Sequence, residues 1–484
     1  MKLETVIKYM DADASKLNPA LRGTEVKSFA IDSRETQAGE VFFALSQPDY
    51  KNNCFNGDFE DSHKYVPGAF EKGAIACVAR RNRFEEHKAM LEKFQDRLIF
   101  VEDAIAAFQK LAHGVYLEWN KPVVAITGSA GKTTAKELAA HVLEASGRKI
   151  LRNVKNYNNG LGHPLTVLKL AEDKSFDAAV LEMGMSTPFN EIARLCRITP
   201  PDVAVELNVL PVHVEHLGSI ENVARAKAEL VEGMKAGGTA ILNADDARVL
   251  AMRDLSKGKT ITFGIESEAD ISASKIEMKR FGETSFKLKT PNGASQVSMQ
   301  LSGRHNVLNA LAASAVGYAF GMSAQEIAGA LRTVAPLPQR GEVLHFAEGF
   351  TVINDSYNSN PAALLGMVET LTSGGKSAKR KIVVAGEMLE LGKNEKKIHR
   401  ETGARLAASG IDFLIGVRGL AKDLTDSAKE NSLSETKFFE TSVEAGEFLA
   451  SEIKAGDLVL IKGSRGVRTE RVVEKLLEKF NLEK

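Results

Sequence analysis

The stretch that decides the fold is Thr127-Gly-Ser-Ala-Gly-Lys-Thr-Thr134. It lies between an apolar run, residues 123–127, that predicts a buried strand and a run, residues 132–146, that predicts a helix. Glycines let backbone N–H groups turn toward a phosphate, and the start of a helix adds partial positive charge. Lys132 can neutralise the outer phosphates and the Thr133 hydroxyl can hold Mg²⁺. The stretch therefore predicts a cradle for nucleotide phosphates.

This cradle is shorter than the general phosphate-binding loop, which has four residues between its first glycine and the Gly-Lys pair. Here only Ser129 and Ala130 separate Gly128 from Gly131. The alternative is a glycine-containing turn with an incidental lysine. It is disfavoured because strand, turn, Lys-Thr-Thr and helix follow one another in the order that phosphate binding requires.

Length and composition limit the classes of protein to which this cradle can belong. The chain has 484 residues, enough for about three domains, and 44% hydrophobic with 26% charged residues is typical of globular proteins. Lys plus Arg and Asp plus Glu each number 63, and this zero net charge argues against a protein that coats nucleic acid. The chain has three scattered cysteines, and it has neither a secretory signal nor a long apolar run. These features predict a cytoplasmic protein without membrane insertion, and the net charge predicts no nucleic-acid partner.

Runs typical of strands and helices predict three α/β domains. Residues 1–112 read as a small domain. Residues 113–334 alternate strands with helices, which implies a mostly parallel sheet, and a β-hairpin is expected within residues 271–301. Residues 335–484 alternate again and predict a doubly wound domain with its ligand crevice at the carboxyl ends of the strands. The proline-containing segment 335–341 is expected to act as the hinge between the last two domains.

Three ionisable positions are candidates for metal chemistry. Glu182 ends an apolar strand, where a carboxylate is well placed for Mg²⁺, although a surface glutamate capping the next helix is the alternative. His213 and His216 follow another strand, and a structural role is the commoner one for such a histidine. Lys227 lies on the apolar side of a predicted helix and would ordinarily extend its amine to solvent.

Four polar segments are candidates for substrate binding. The loop of residues 156–164 follows the first crossover helix, on the same sheet as the cradle. Asn306 and Asn309 lie three residues apart, on one helix face, and suit an adenine edge, although Asn306 could equally cap the helix. Residues 354–361 and 462–468 both follow strands of the third domain, and the second is a basic, glycine-broken loop suited to a carboxylate or phosphate.

Together these segments resemble the Mur ligase family, the ATP-dependent amide-forming enzymes of bacterial cell-wall precursor synthesis. The resemblance spans the whole chain. The short cradle marks the family, whereas the segments that begin at Asn156, Asn354 and Lys462 are similar to its D-alanyl-D-alanine-adding branch. The resemblance implies a three-domain α/β architecture. A small N-terminal domain would bind the UDP-sugar, a central P-loop-type domain ATP and Mg²⁺, and a Rossmann-like C-terminal domain the incoming dipeptide.

The resemblance also implies roles for individual residues, including an Asp-Ser-Arg motif at residues 32–34. ATP would contact Gly128, Ser129, Ala130, Gly131, Lys132, Thr133, Thr134, Asn306, Asn309, Arg340 and Asp355. The organic substrates would contact Ser33, Arg34, Asn156, Asn158, Asn159, Tyr357, Asn358, Asn360, Ser464 and Arg465. Mg²⁺ would be held by Thr133, Glu182, His213 and a carbamylated Lys227. The resemblance favours His213 over His216 as the histidine ligand. Catalysis would depend on Lys132, Lys227 and Asp355.

The reaction that the resemblance implies joins D-alanyl-D-alanine to UDP-N-acetylmuramoyl-tripeptide. The terminal carboxylate of the tripeptide would attack the γ-phosphate of ATP to give an acyl phosphate and ADP, and the dipeptide amine would then displace phosphate. Because an acyl phosphate hydrolyses readily, we expect the third domain to close over the second. The protein is expected to be a monomer.

One region departs from the family pattern, and two other functions are considered. The family usually has a short glycine turn leading to Asp-Gly-His-Phe, whereas residues 46–60 here lead to Asp61-Ser-His-Lys64, so the uridine and sugar contacts stay open. The first alternative is a sister ligase that adds a diamino acid to the UDP-linked dipeptide. Its diaminopimelate-adding form carries an Asp-Asn-Pro-Arg motif that this chain lacks. The second is an ATP-hydrolysing switch module, which would release phosphate without either organic substrate.

Overall fold

The strands of the protein form three separate sheets. The computed structural model describes residues 1–55, 57–185, 190–210, 217–280 and 282–483. Within these ranges the sheets have four, nine and six strands, and most neighbouring strands are parallel. The predicted α/β fold class is confirmed. None of the helices in these ranges combines the length and the apolarity needed to cross a membrane.

The first sheet is fully parallel, with its strands in chain order. Its strands are apolar runs, interrupted only by Arg80 at the end of β3, because separate apolar clusters cover both faces of the sheet. The strands are β1 Phe29–Ala30, β2 Val41–Phe43, β3 Ala76–Arg80 and β4 Leu98–Val101. The α-helices of this part are Leu3–Met10, Gln47–Asn52, Val66–Glu71, Arg81–Glu86, Lys88–Leu91 and Ala104–Trp119.

The second sheet places the cradle strand in its interior, third from one edge, in the order β13-β12-β11-β10-β9-β8-β5-β7-β6. Its strands are β5 Val123–Thr127, β6 Ile150–Arg152, β7 Ala178–Glu182, β8 Val203–Glu206, β9 Thr239–Asn243, β10 Lys259–Gly264, β11 Ile271–Arg280, β12 Glu283–Thr290 and β13 Gly293–Met299. The α-helices are Lys132–Glu144, Gly162–Glu172, Glu191–Ile198, Ile220–Glu232, Ala247–Leu250, Arg304–Ala319 and Ala324–Arg332.

The predicted hairpin is present as β12 and β13, which are antiparallel and joined at Thr290 and Gly293. Residues 271–301 nevertheless hold three strands, because β11 pairs antiparallel with β12 on the other side. The pairing of β11 shifts register after Ser274. Such a shift interrupts the alternation of polar and apolar residues from which a strand is predicted, which explains why the sequence indicated one hairpin.

The third sheet has the order β14-β15-β19-β16-β17-β18, with only the edge strand β14 antiparallel. Separate apolar clusters on its two faces show that helices cover both, as in a doubly wound domain. The strands are β14 Glu342–His345, β15 Thr351–Asp355, β16 Arg380–Gly386, β17 Phe413–Val417, β18 Thr436–Phe439 and β19 Asp457–Lys462. The α-helices are Pro361–Gly374, Glu395–Ala407, Ala421–Glu430, Ser442–Glu452 and Glu470–Lys479.

The helix Ala104–Trp119 joins the first two sheets. Near its start the ring of Phe108 packs edge-on against Phe43 of β2, with centroids 4.7 Å apart. At its end the indole of Trp119 donates to the carbonyl oxygen of Phe176, before β7, at 3.1 Å. The division predicted at residues 112 and 113 falls inside this helix. The domain limits 1–112, 113–334 and 335–484 stay a prediction.

Candidate functional site

The cradle is a tight turn between β5 and the helix Lys132–Glu144, and glycine is required in it. Gly131 has a φ of +84°, a left-handed conformation that L side chains rarely adopt. A Cβ at this position would lie 2.4 Å from Oδ1 of Asn309. Asn208 braces the turn from the β8 side, because its Oδ1 accepts from the N–H of Ala130 at 2.9 Å. The glycine therefore lets Asn309 approach the turn closely.

Gly131→Ala is expected to destabilise the protein by about 1–3 kcal/mol from backbone strain and, in addition, to displace Asn309. The measurement is the thermal midpoint with and without ATP. Gly147→Ala is a matched control, because Gly147 also has a φ of +84° but a Cβ built there would have no atom within 4 Å. We expect both variants to lose stability and only Gly131→Ala to lose the shift caused by ATP. Equal ATP shifts in the two variants would contradict the role of the Asn309 contact.

Lys132 is half-buried at the start of the helix. Its Nζ donates to the carbonyl oxygen of Gly128 at 2.9 Å, so the side chain folds back over the turn. Desolvation lowers the pKa of Lys132, while the carboxylate of Glu182 acts in the opposite direction. A lysine in this position can give its hydrogen bonds and charge to an anion that enters the turn.

Glu182, at the end of β7, is 4% exposed and its carboxylate is held from two sides. Oε2 accepts from Thr133 Oγ1 at 2.7 Å, and Oε1 accepts from Asn158 Nδ2 at 2.7 Å. The alternative of a surface glutamate that caps a helix is therefore wrong, because β7 is an interior strand whose end faces the cradle. A carboxylate and a hydroxyl oxygen converge here, which is the ligand chemistry that Mg²⁺ prefers.

Lys227 is buried rather than extended to solvent. It lies on the helix Ile220–Glu232 with 2% of its surface exposed, so the solvent-reaching alternative is wrong. Desolvation first, and Lys132 second, lower its pKa to about 7, whereas Glu206 acts in the opposite direction. Burial raises the pKa of Glu206, and neither of its carboxylate oxygens has a hydrogen-bond partner among the described residues. A neutral amine is therefore accessible at Lys227 near neutral pH.

The predicted histidine ligand cannot be placed in this geometry. His213, the favoured residue, and His216 lie outside the described residues. In the ranges that the structure describes, no three His, Cys, Asp or Glu side chains form a preformed metal cluster. Thr133, Glu182 and Lys227 are the candidate metal-binding residues with described positions.

The two asparagines of the helix Arg304–Ala319 lie beside the cradle. Asn309 Nδ2 donates to Asn306 Oδ1 at 3.2 Å, and Asn306 Nδ2 donates to the carbonyl oxygen of Ser302 at 2.8 Å. Both side chains are buried. The capping alternative for Asn306 is wrong, because the helix begins at Arg304 and Gly303 precedes it.

The carboxyl edge of the third sheet brings Asp355 and Lys462 together. β15 and β19 are neighbours, and these two residues are opposite each other in the pairing. Lys462 Nζ lies 2.6 Å from Asp355 Oδ2 and donates to the carbonyl oxygen of Asn358 at 2.8 Å. Lys462 opens the basic loop of residues 462–468 that the sequence indicated for substrate binding, but it was not assigned as a site residue by itself. Its position at the end of an apolar strand was the signal that could have identified it.

Arginines and an aromatic ring form the adjacent wall. The guanidinium of Arg340 lies 3.9 Å from the ring centroid of Tyr357, and that of Arg465 lies 5.7 Å from it. Ser464 has another role, because it is buried and its Oγ accepts from the N–H of Leu389 at 2.9 Å. Ser464 thus supports the loop of residues 462–468 and does not face the cavity described next.

A cavity of about 710 Å³ joins the cradle to the edge of the third sheet. Its wall contains every predicted site residue except Gly128, Lys227, Ser464, Ser33 and Arg34, with His213 outside the described residues. Residues that were not assigned to the site also line it, among them Lys155, Glu191, Asn208, His305, Met367 and Lys462. The structure therefore brings all the predicted ATP residues but Gly128, and most predicted substrate residues, to one place.

The Asp-Ser-Arg motif lies elsewhere, after β1 on the first sheet. Arg34 is exposed and forms an ion pair with Asp32, with Nη2 and Oδ2 2.6 Å apart. Lys72 Nζ donates to the carbonyl oxygens of Ser33 and Arg34 at 2.8 and 2.9 Å. This basic surface is separate from the lining of the cavity.

The segment that departs from the family pattern contacts the second sheet. It begins with the helix Gln47–Asn52. The carbonyl oxygen of Asn53 accepts from Arg194 on the helix Glu191–Ile198. The ring of Phe55 lies 3.2 Å from the position of a Cβ built on Gly160. The segment thus touches the loop of residues 156–164, which the sequence assigned to substrate binding.

Two family models match the chain. The Mur ligase middle domain matches residues 126–317, and the glutamate ligase domain of Mur ligases matches residues 339–465. The first range contains the cradle, Glu182 and both asparagines. The second contains Arg340, Asp355 and Lys462.

Curated relatives and solved structures match over nearly the full length. UDP-N-acetylmuramoyl-tripeptide–D-alanyl-D-alanine ligase of Bacillus subtilis is 31% identical over 95% of each chain. The ligase of the same name from Escherichia coli is 31% identical over 96% of each. The crystal structure of MurF from Acinetobacter baumannii superimposes with a TM-score of 0.84 at 27% identity, over 99% of both chains. MurF ligase from Thermotoga maritima, in complex with ADP, gives 0.80 at 28% identity, over 94% of this chain and 98% of that one.

Proposed function

The chain belongs to the Mur ligase family, and on this premise we propose that it joins D-alanyl-D-alanine to UDP-N-acetylmuramoyl-tripeptide at the expense of ATP. The observation that carries the proposal is the nearly full-length match to ligases of that name. The shared cavity supports it, because a phosphate cradle and the edge of a second α/β sheet meet there. The product is a peptidoglycan precursor. We place the reaction in the cytoplasm, where ATP is available, and expect a monomer.

The first step needs positioning and charge neutralisation more than a protein nucleophile. The terminal carboxylate of the tripeptide attacks the γ-phosphate, the bond to the β-phosphate oxygen breaks, and acyl phosphate and ADP result. Lys132 and the N-terminus of its helix lie where they can bind the phosphates. Asn306 and Asn309 supply amide groups suited to the adenine edge.

Thr133 and Glu182 fit a magnesium ion, because their oxygens already converge within hydrogen-bond distance and Glu182 is buried. Mg²⁺ bound there would neutralise charge on the phosphates of ATP. Asn158 fixes the orientation of the carboxylate through its second oxygen. Asn153 holds the backbone of Glu182 from both sides, since its Nδ2 donates to the carbonyl oxygen at 2.9 Å and its Oδ1 accepts from the N–H at 3.0 Å.

A carbamate on Lys227 would complete this arrangement. Addition of CO₂ requires the neutral amine, and burial beside Lys132 favours that form. The modification converts a cation into a carboxylate-like anion able to orient Mg²⁺. His213 is proposed as a further ligand on the basis of the family resemblance alone.

The second step takes place at the edge of the third sheet. The dipeptide amine attacks the acyl carbonyl carbon, the bond to the phosphate oxygen breaks and phosphate leaves. Tyr357, Arg465 and the pair of Asp355 and Lys462 form the wall proposed to receive the dipeptide. We propose that closure about residues 335–341 excludes water from the acyl phosphate.

The experiment that tests the function measures phosphate release with each substrate omitted in turn. The proposal requires release only when ATP, the UDP-linked tripeptide and D-alanyl-D-alanine are all present, with a matching amount of the pentapeptide product. Steady release with ATP alone would identify an ATP-hydrolysing switch. Turnover with the UDP-linked dipeptide and a diamino acid would identify the sister ligase.

Asn158→Ala is expected to weaken Mg²⁺ binding by about 10- to 100-fold, because a carboxylate that loses its supporting hydrogen bond is less well oriented. The measurement is the Mg²⁺ concentration that gives half-maximal ligation at saturating ATP. Asn120→Ala is the control, since Asn120 ends the helix Ala104–Trp119 outside the cavity wall. An unchanged Mg²⁺ requirement in Asn158→Ala would show that the hydrogen bond to Glu182 has no part in metal binding.

A further inference from the structure

His305 lies at the seam between the second and third sheets. It is in the first turn of the helix Arg304–Ala319 and lines the cavity. Gly303 has a φ of +94°, and a Cβ built there would lie 2.7 Å from Cε1 of His305 and 3.0 Å from Oγ1 of Thr370. The imidazole therefore folds back over the backbone of Gly303, toward the helix Pro361–Gly374 that follows β15. The absent side chain of Gly303 makes room for it.

The electrostatic surroundings favour a neutral imidazole. The side chain of His305 is exposed at the cavity. Desolvation of the covered part of the ring lowers its pKa; Asp355 acts in the opposite direction, and Lys462 lowers the pKa further. Asp355 and Lys462 are the charged groups that face the ring from β15 and β19. Neither ring nitrogen has a hydrogen-bond partner among the described residues. The ring is thus unprotonated near neutral pH and free to accept a proton.

Glu182 and Asp355, two of the three carboxylates in the cavity wall, are less suited to that task. Both oxygens of Glu182 are occupied, one by Thr133 and one by Asn158. Asp355 is paired with Lys462 at 2.6 Å. The ammonium of Lys462 therefore already occupies an oxygen of this carboxylate.

We propose that His305 is the general base that accepts a proton from the amine of the incoming dipeptide. The inference rests on the proposed function, which requires an amine to attack an acyl phosphate in this cavity. The carbon–nitrogen bond forms, the carbon–oxygen bond to phosphate breaks, and the proton leaves the nitrogen for the free imidazole nitrogen. From there it passes to solvent. His305 serves the second step only, because the first step transfers no proton from an amine.

The test compares two nucleophiles in His305→Gln. Hydroxylamine is mostly unprotonated at neutral pH and traps an acyl phosphate as a hydroxamate without needing a base. We expect dipeptide ligation to fall by about 10²- to 10⁴-fold, while the rate of hydroxamate formation from ATP and the UDP-linked tripeptide changes little. His345→Gln, which replaces a histidine of the edge strand β14, should leave both rates unchanged. Hydroxamate formation also shows that the variant folds and binds its first two substrates.

A pH profile gives a second readout. In the wild type, loss of dipeptide ligation at low pH should include the protonation of His305, below the usual range for histidine because its pKa is lowered. That contribution should be missing in His305→Gln, and added imidazole should restore part of the rate. Equal losses with both nucleophiles, or no loss with either, would overturn the role. Absence of hydroxamate in the wild type would instead overturn the proposed function.

Discussion

Lys132→Ala is expected to reduce kcat/KM for ATP by about 10²- to 10³-fold, as found when one preorganised electrostatic contact to a reacting group is removed. The ammonium of Lys132 is the cation that folds over the cradle, and its Nζ already donates to the turn itself. Alanine leaves the phosphate charge without this contact, while the turn, with its glycines, keeps its shape. The measurement is ADP release with all three substrates present.

Two controls separate charge from packing. Lys169→Ala removes an exposed lysine from the neighbouring helix Gly162–Glu172 and should not change the rate. Lys132→Arg keeps the charge but replaces a compact ammonium by a planar fork, so we expect only partial activity. Binding of the UDP-linked substrate to Lys132→Ala should persist, because the Asp-Ser-Arg surface that the family resemblance assigns to it lies on the first sheet, outside the cavity wall. Normal ligation by Lys132→Ala would refute the phosphate-binding role of the turn.

The parts of the site that the sequence predicted are those built from neighbouring residues. The cradle needs a strand, a glycine turn and a helix start within about a dozen residues, and local sequence preferences determine all three. The position of Glu182 was equally predictable, because an apolar run that stops at a glutamate places that glutamate at the carboxyl end of a strand. Both segments meet in the structure through the hydrogen bond from Thr133 to Glu182.

The parts that the sequence could not predict depend on which segments become neighbours. Lys462 reaches Asp355 because β19 inserts beside β15, and no residue pattern gives that strand order. Asn309 reaches Gly131 across a separation of 178 residues because the helix Arg304–Ala319 packs on the helix of the cradle. His305 was overlooked for the same reason, because its proximity to Asp355 and Lys462 depends on how the third sheet packs beside the helix Arg304–Ala319.

The burial of single side chains also could not be predicted from the sequence. The pattern of apolar residues in the helix Ile220–Glu232 is compatible with a Lys227 amine that reaches solvent or with one that is buried against the sheet. Only the packing of this helix against β8 determines that the amine is buried. The charge of Lys132 and the carboxylate of Glu206 then determine how readily the amine loses its proton. The unusual chemistry of Lys227 is thus a property of the folded chain.

Removal of CO₂ should lower ligation by about 10²-fold, comparable to the loss of a preorganised electrostatic contact, and bicarbonate should restore it. The carbamate proposed at Lys227 would form when the neutral amine adds to CO₂ and releases a proton. The pKa of Lys227 is lowered to about 7, so the neutral fraction grows as the pH rises through that value and shrinks as it falls. Recovery after addition of bicarbonate should therefore be faster and more complete at pH 8 than at pH 6.

Lys227→Arg identifies the residue, because a guanidinium stays protonated and forms no stable carbamate. This variant should have low activity that bicarbonate does not restore. In a carbon-13 spectrum recorded with labelled CO₂, the wild type should show a carbamate signal that Lys227→Arg lacks. Lys136→Arg should keep the signal, since the buried ammonium of Lys136 is already fixed by Glu137 at 2.6 Å and by the carbonyl oxygen of Asn153 at 2.5 Å. Full activity in CO₂-free buffer would show that the reaction needs no carbamate, and a signal that survives in Lys227→Arg would place the carbamate on another amine.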